Sequence, residues 1–334
     1  MAHRGLRVAV VGASGYAGAE IVRLLASHPC AEVALATSGR SAGRRLSELC
    51  PWLHTDLVLS DFDPASLRAD FTFLCQEAGF ALEHAPELLA TTRVIDLSGD
   101  FRLKEPSVYE RFYQRERPKG AADVRAVYGL PELTDVEELA DAKIVANPGC
   151  YPTAALLALM PLIASGTVVG TPIVDAKSGV SGAGRSRKET DYLFSELSGG
   201  FKGYAMVGHR HTPEIEQMAG RPVRFSPHLI PAARGIEATI HAQVTKPPSA
   251  EMFQAFYNGR PLVQVVGSPP STKLVHGSNL CLINVDYDAS TEFAVVSSVI
   301  DNLVKGAAGQ AIQNMNIMAG LPEETGLPVS GVWP

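Results

Sequence analysis

The strongest constraint on the fold is a glycine loop near the N-terminus, Gly12-Ala13-Ser14-Gly15-Tyr16-Ala17-Gly18. It lies between a β-branched run and an amphipathic segment. Arg7 to Val11 reads as a buried strand that Gly12 ends. Gly18 to Ala26 reads as a helix with Ile21, Val22, Leu24 and Leu25 as its apolar stripe. Glycine suits a sharp turn or a close approach to a ligand, and a helix N-terminus offers unpaired N–H groups and partial positive charge. Strand, glycine turn and helix in this order predict a dinucleotide site whose pyrophosphate rests on Gly12, Ser14, Gly15, Tyr16, Ala17 and Gly18. The spacing is G-x-x-G-x-x-G rather than G-x-G-x-x-G. A merely tight strand-to-helix turn is therefore the plainer alternative.

The next strand, Glu32 to Ala36, leads into Thr37-Ser38-Gly39-Arg40-Ser41, with Arg44 and Arg45 close behind. An NAD site places a carboxylate here for the ribose 2′-hydroxyl. None is present. A guanidinium and hydroxyls suit a 2′-phosphate instead, so Ser38, Arg40 and Ser41 point to NADP(H), against a simple solvated basic loop. Phe71 to Cys75, Val94 to Leu97 and Ile144 to Ala146 read as further strands, with a helix over Ala81 to Leu89. Alternating strands and helices predict an α/β unit with a doubly wound, Rossmann-type parallel sheet.

Beyond about residue 150 the pattern changes. Gly235 to Thr245 alternates strictly, with Ile236, Ala238, Ile240, Ala242 and Val244 on one face and polar residues on the other. Leu280 to Tyr287 and Phe293 to Val299 are further strands. A second, α+β domain with a mixed, mostly antiparallel sheet is expected. Such a sheet has a free face that a partner subunit can cover, so a homo-oligomer, dimer or tetramer, is expected too. A last helix begins near Asp301, with Leu303, Val304, Ala307, Ala311, Ile312 and Met315 as its stripe, and Gly320 and Pro322 stop it.

Composition narrows the function. A 334-residue chain with 46% hydrophobic residues can build large cores, and a net charge of −6 gives no electrostatic reason to bind nucleic acid or an anionic membrane. Ala154 to Ala164, the longest apolar stretch, is too short to span a bilayer and contains Pro161. The N-terminal apolar run enters the glycine loop with no signal-peptide pattern. Five cysteines without a C-x-x-C pair argue against disulfides or structural zinc and for a reducing, cytoplasmic location.

Among those cysteines, Cys150 stands apart. It lies in Asn147-Pro148-Gly149-Cys150-Tyr151-Pro152-Thr153, between the strand ending at Ala146 and a helix expected from about Pro152. A helix N-terminus favours thiolate, and Gly149 leaves room beside the sulfur, so Cys150 is the candidate nucleophile. Cys30, Cys50, Cys75 and Cys281 read as small buried residues. Gly208-His209-Arg210-His211-Thr212-Pro213-Glu214 precedes another helix, with Thr212 as expected N-cap and Pro213 as its first residue. A histidine paired with Cys150 accounts for chemistry without metal, and ligand spacing for zinc is lacking. Lys177 to Arg185 is a second glycine-rich loop after a strand over Pro172 to Ala176, able to form an anion nest or approach a nicotinamide.

The runs VGASGYAGAE, LSGDFRL, NPGCYPTA, SGVSGAGR, GHRHTPEI and IDNLVKGAAGQA together resemble the N-acetyl-γ-glutamyl-phosphate reductase family of arginine biosynthesis, over essentially the whole chain. The wider superfamily includes aspartate-semialdehyde dehydrogenase and glyceraldehyde-3-phosphate dehydrogenase. The resemblance implies NADPH-dependent reduction of a small acyl phosphate, N-acetyl-L-glutamyl 5-phosphate, to its 5-semialdehyde through a Cys150 thioester, with His209 as acid/base. It further implies that Ser98, Ser181, Gly182 and Asn302 join the coenzyme residues. Arg102 would meet the leaving phosphate, and His211, Glu214 and Arg234 the acetylglutamate end. By the same resemblance, 1–148 with 315–334 is the NADP-binding domain and 149–314 the catalytic and oligomerisation domain. A lysine-pathway relative acting on carrier-bound aminoadipyl phosphate ranks lower, because it lacks the Pro-Gly-Cys-Tyr-Pro run. A Cys–His hydrolase leaves the Gly12–Gly18 loop unexplained, and an NADP-sensing regulator leaves Cys150 and both histidines without a role.

Overall fold

The computed structural model describes residues 5–118, 124–186 and 189–333. The chain divides into two compact units, Met1–Pro148 with Ala307–Leu327 and Gly149–Gly306 with Pro328–Pro334.

The first unit is built on six parallel strands: β1 (Leu6–Val11), β2 (Ala31–Thr37), β3 (Phe71–Leu74), β4 (Arg93–Asp96), β5 (Val127–Tyr128) and β6 (Ile144–Ala146). Their order is β2-β1-β3-β4-β6-β5. Val8 to Val11 are wholly buried, as a central strand covered on both faces requires. Helices Tyr16–Leu25, Phe80–Leu88 and Gly309–Met318 pack on this sheet. Strand order reverses between β1 and β3, the switch point at which open α/β sheets bind ligands. This is the Rossmann-type doubly wound unit that the alternation predicts.

The second unit carries a mixed sheet of β7 (Val168–Gly179), β8 (Lys202–Gly203), β9 (Arg224–Ile230), β10 (Ile236–Val244), β11 (Val263–Val265), β12 (Cys281–Asp288) and β13 (Phe293–Ile300). The order is β11-β12-β13-β10-β7-β9-β8, with only β11/β12 and β7/β9 parallel. Along β10, Ile236, Ala238, Ile240, Ala242 and Val244 are buried, while Glu237, Thr239 and His241 are half-buried on the other face. The helix Cys150–Ala164 packs on β7, β10 and β13. Pro161 lies inside it without ending it.

Several local boundaries differ from the sequence reading. The strand expected over 172–176 runs from Val168 to Gly179, and the glycine-rich segment after it winds into a 3₁₀ turn, Val180–Ala183. The last helix is not a simple amphipathic one. Its first turn, Val304–Ala308, is a π-helix in which Gly306 N donates to the Asp301 carbonyl at 2.9 Å. Gln313, Asn314 and Asn316 are as buried as its apolar stripe, because each has a distant polar partner. Gln313 donates to Glu132 at 3.0 Å and to Glu323 at 2.9 Å, Asn314 to the Gly129 carbonyl at 2.8 Å, and Asn316 to the Thr325 carbonyl at 2.9 Å. The segment that returns to the first compact unit runs from Ala307. It stops at Leu327, and Pro328–Pro334 belongs to the second unit.

Candidate active site

In the first unit, the glycine loop is forced by sterics. Gly12 has φ +93°, and a Cβ there would lie 2.5 Å from the Cys75 carbonyl oxygen. A Cβ on Gly18 would lie 2.3 Å from the Gly12 carbonyl oxygen. Each glycine lets one strand, turn or helix end approach another. Gly15 is the extended N-cap of Tyr16–Leu25 and no side chain caps that helix, so its first amides are left for a ligand. The amides of Gly12 and Ala13 donate to the Thr37 carbonyl at 3.1 and 3.0 Å, and the hydroxyls of Ser14 and Ser38 lie 2.7 Å apart. The two loops proposed from sequence are thus one continuous surface.

Arg40 and Ser41 occupy a single 3₁₀ turn, Gly39–Ser41. Arg44 pairs with Glu48 at 3.0 Å and Arg45 with Asp56 at 3.1 Å. Among the described residues, exposed Arg40 makes no ion pair. The residues present thus suit a dinucleotide carrying an extra phosphate: uncapped amides for the pyrophosphate, and a guanidinium with hydroxyls beyond β2.

Ser98 and Arg102 lie in a buried polar cluster that follows β4. Ser98 donates from its amide and hydroxyl to the Asp96 carboxylate at 2.9 and 2.8 Å. Burial, and then the neighbouring Asp100 charge, push Asp96 up to about 7. Arg102 donates from Nε to the Asn147 carbonyl at 2.7 Å and from Nη2 to the Leu97 carbonyl at 2.8 Å. Its guanidinium braces the strand that leads towards Cys150. Sequence reasoning had assigned it only to phosphate.

The second unit gathers Cys150, His209, His211 and Glu214. The helix starts at Cys150 itself, two residues earlier than expected, because extended Gly149 is the N-cap and its carbonyl accepts Thr153 N at 3.0 Å. Pro152 falls in the first turn, where a missing N–H costs nothing. A Cβ on Gly149 would lie 2.6 Å from His211 Nε2, so that imidazole sits directly against the residue preceding the cysteine. Glu214 Oε1 accepts the Gly149 N–H at 2.8 Å. On the other side, a Cβ on Gly306 would lie 2.8 Å from Cys150 Cβ. Nothing in the local pattern marks Gly306, although the small-residue run Gly306-Ala307-Ala308-Gly309 signals a close approach.

The histidine helix runs Thr212–Ala219, and His211 is its N-cap, one residue ahead of expectation. His211 N donates to His209 Nδ1 at 3.1 Å, so the His209 hydrogen resides on Nε2. The two imidazoles are 4.9 Å apart, and the Tyr151, Tyr204 and Phe225 rings stand 5.9, 5.4 and 5.3 Å from His209. Burial, and then the Arg210 charge, push His209 down to about 4. It is neutral at physiological pH. Burial also raises Tyr204 to about 12 and drives Tyr151 higher still, so both remain phenols. Tyr151 donates to the His228 carbonyl at 2.9 Å. Sequence reasoning missed this aromatic wall, which no short motif signals.

Ser181, Gly182, Asn302 and Arg234 also converge in the second unit. Asn302 donates to Ser181 Oγ at 2.9 Å and accepts the Gly235 N–H at 2.8 Å, while a Cβ on Gly182 would lie 3.8 Å from Asn302 Nδ2. Arg234 Nη1 lies 3.5 Å from the buried Asp301 carboxylate. None of the five cysteines is in a disulfide, and among the described residues no group of three or more His, Cys, Asp or Glu side chains is arranged to hold a metal ion.

Residues 7–142 match the family model of the semialdehyde dehydrogenase NAD-binding domain, and residues 150–302 that of the semialdehyde dehydrogenase dimerisation domain. The N-acetyl-γ-glutamyl-phosphate reductase of Symbiobacterium thermophilum is 47% identical, with 98% of each chain covered. That of Desulforamulus reducens is 46% identical over 98% of this chain and 100% of its own. Among solved structures, aspartate semialdehyde dehydrogenase II of Vibrio cholerae aligns with a TM-score of 0.73 at 18% identity, over 95% of this chain and 99% of its own. The Candida albicans aspartate semialdehyde dehydrogenase solved with NADP aligns with a TM-score of 0.71 at 16% identity, over 94% and 98%. These structural likenesses speak for the fold. No helix among the described residues is long and apolar enough to cross a membrane.

Proposed function

The chain belongs to the N-acetyl-γ-glutamyl-phosphate reductase family, and from that premise we propose that it reduces N-acetyl-L-glutamyl 5-phosphate to N-acetyl-L-glutamate 5-semialdehyde with NADPH, in arginine biosynthesis in the cytoplasm. The observation that carries this reading is the placement of Cys150 as the first residue of a helix, between Gly149 with His211 behind it and Gly306. The uncapped amides at that helix start favour thiolate.

In the proposed reaction the Cys150 sulfur attacks the acyl carbon, and the bond from that carbon to the phosphate oxygen breaks. Phosphate leaves with its electron pair, and a thioester remains on Cys150. Bound NADPH supplies the hydride that takes the acyl carbon to the aldehyde level. His209 donates a hydrogen bond from Nε2 to the oxyanion formed on that carbon, serving as the neutral acid partner of the step while keeping its proton. Collapse of this hydrogen-bonded tetrahedral anion breaks the C–S bond, returns the thiolate and frees the aldehyde, with no net proton transfer. Glu214 holds the Gly149 amide and Tyr151 anchors on β9, so the nucleophile's turn is fixed from both sides.

Gly12, Ser14, Gly15, Tyr16, Ala17 and Gly18 would hold the coenzyme pyrophosphate, and Ser38, Arg40 and Ser41 its 2′-phosphate. Ser98, Ser181, Gly182 and Asn302 complete the proposed coenzyme set, with Arg102, His211, Glu214 and Arg234 on the substrate. The half-polar open face of β10 and the dimerisation-domain match support a second copy packed on that sheet. Cys150→Ala tests the core of the proposal. We expect NADPH binding to persist, while acyl-phosphate-dependent NADPH oxidation and burst release of phosphate both vanish. Near-normal turnover in that variant overturns the thioester route.

A further inference from the structure

The C-terminal segment 328–333 leaves the first unit and clamps a single loop of the second. Its attachment is almost entirely main chain. Asn279 N donates to the Pro328 carbonyl at 2.8 Å, and Val332 N donates to the His276 carbonyl at 2.8 Å. Between them, a Cβ on Gly331 would lie 2.2 Å from the Leu274 carbonyl oxygen, an approach only glycine permits. The apolar side chains of the segment, Val329, Val332 and Trp333, are all exposed. The segment therefore adds little hydrophobic burial to the fold.

The loop it clamps faces Arg234. His276 Nε2 donates to the Arg234 carbonyl at 3.3 Å. Gly277 N donates at 2.8 Å to Asp301 Oδ2, the same oxygen that faces Arg234 Nη1 at 3.5 Å. The other oxygen of Asp301 accepts Leu303 N and Val304 N, at 2.8 and 3.2 Å. That carboxylate starts the π turn whose Gly306 rests on Cys150. Gly235, next to Arg234, has φ +103° and would place a Cβ 2.7 Å from Thr272 Cβ, so the turn Thr272–Val275 that leads into this loop also presses on the arginine's neighbour.

We propose that residues 328–333 are a positioning element for substrate binding: by fixing the 274–279 loop, the segment sets the Arg234 guanidinium on Asp301 at the distance and angle that an anionic substrate group requires. This rests on the reading of Arg234 as a substrate ligand. Loss of the segment releases His276 and Gly277 together, removing one hydrogen bond from the arginine's backbone and one from its carboxylate partner. Asp301 keeps its helix-capping bonds, so Cys150 stays in place. The expected signature is weaker substrate binding with the chemistry preserved.

The experiment uses full-length protein, a chain ending after Leu327, and Gly331→Ala, each with and without Arg234→Ala. Expected for both tail variants is a KM for acetylglutamyl phosphate raised about tenfold, kcat within about threefold, and an unchanged KM for NADPH. Combining either with Arg234→Ala should add nothing further, because the tail acts through that side chain. A merely structural tail lowers kcat and adds its effect to that of Arg234→Ala, and this result overturns the proposal, as does an unchanged substrate KM. Gly331→Ala carries the test alone if the shortened chain does not fold. An unchanged substrate KM in Arg234→Ala by itself removes the parent reading instead, and with it the link drawn from it.

Discussion

Replacing Gly149 with alanine is the sharpest test of how the nucleophile is held. The backbone at Gly149, φ −67° and ψ 152°, is open to any residue, so alanine brings no dihedral strain. The cost comes from one contact, the new methyl 2.6 Å from His211 Nε2. That is about 0.8 Å inside an ordinary van der Waals distance, and overpacking of this kind costs roughly 1–3 kcal/mol. His211 cannot simply swing away, because it is buried with the His209 ring 4.9 Å and the Tyr151 ring 6.0 Å away. Either the imidazole or the Gly149–Cys150 turn moves by several tenths of an ångström. If the whole overlap of about 0.8 Å is passed to the sulfur, a misplacement close to 1 Å in a reacting group lowers kcat by about a hundredfold. The assay is pre-steady-state NADPH oxidation with saturating acyl phosphate, alongside NADPH titration and thermal melting. Expected is a kcat about a hundredfold down, unchanged NADPH affinity, and a modest loss in Tm. A variant with wild-type kcat refutes the argument that His211 and Gly149 together set the sulfur.

The buried, neutral His209 gives a prediction in pH. With its pKa at about 4, it has no ionisation between pH 6 and 8, so wild type and His209→Gln should give kcat/KM profiles of the same shape there, the variant about a hundredfold lower. A limb near 6.5 that disappears in the variant contradicts this. For Asp96 the sign runs the other way from an ordinary ion-paired carboxylate. The folded state keeps its proton up to about 7, whereas the unfolded chain releases it near 3.8, so stability falls as pH rises through that window. The full loss is on the order of 4 kcal/mol above pH 7. Asp96→Asn should raise Tm at pH 8 and converge on wild type near pH 4.5, and an equal Tm difference at both pH values rejects it. Arg40→Glu should raise the KM for NADPH at least tenfold with little effect on that for NADH, measured in steady-state assays. Parallel changes in both mean that Arg40 does not meet the 2′-phosphate.

Legibility followed the range of the interaction. The alternation from Ile236 to Val244 was readable because one face of β10 is buried and every second residue reports it. The glycine loop was readable in part because Gly18 answers to the Gly12 carbonyl six residues back, whereas the Cys75 carbonyl that Gly12 answers to lies far off in sequence. The start of the nucleophile's helix was misread by two residues: Pro152 fits the first turn at more than one position, and the deciding feature is the extended Gly149. Buried polarity in the last helix was invisible, since Gln313 depends on Glu132 and Asn314 on Gly129, both far away in sequence. Gly306 and the 328–333 clamp were missed for the same reason. Their partners, Cys150 and the 274–279 loop, become neighbours only in the folded chain.

The charge state of His209 also bears on which chemistry this cysteine serves. A cysteine hydrolase needs a histidine that takes the thiol proton and returns it to a poor leaving group such as an amine. Here Nδ1 accepts a backbone N–H and Nε2 already carries a hydrogen. Burial and Arg210 oppose any second proton. This imidazole can donate a hydrogen bond, but it is badly placed to shuttle a proton from the sulfur to a departing nitrogen. An acyl phosphate makes no such demand, because phosphate leaves as a stable anion. What the step requires is a thiolate that owes its ionisation to the helix start and a neutral donor for the oxyanion that follows. The pairing of an acyl phosphate with a buried, neutral histidine is thus chemically consistent in a way that amide or ester hydrolysis at the same cysteine is not.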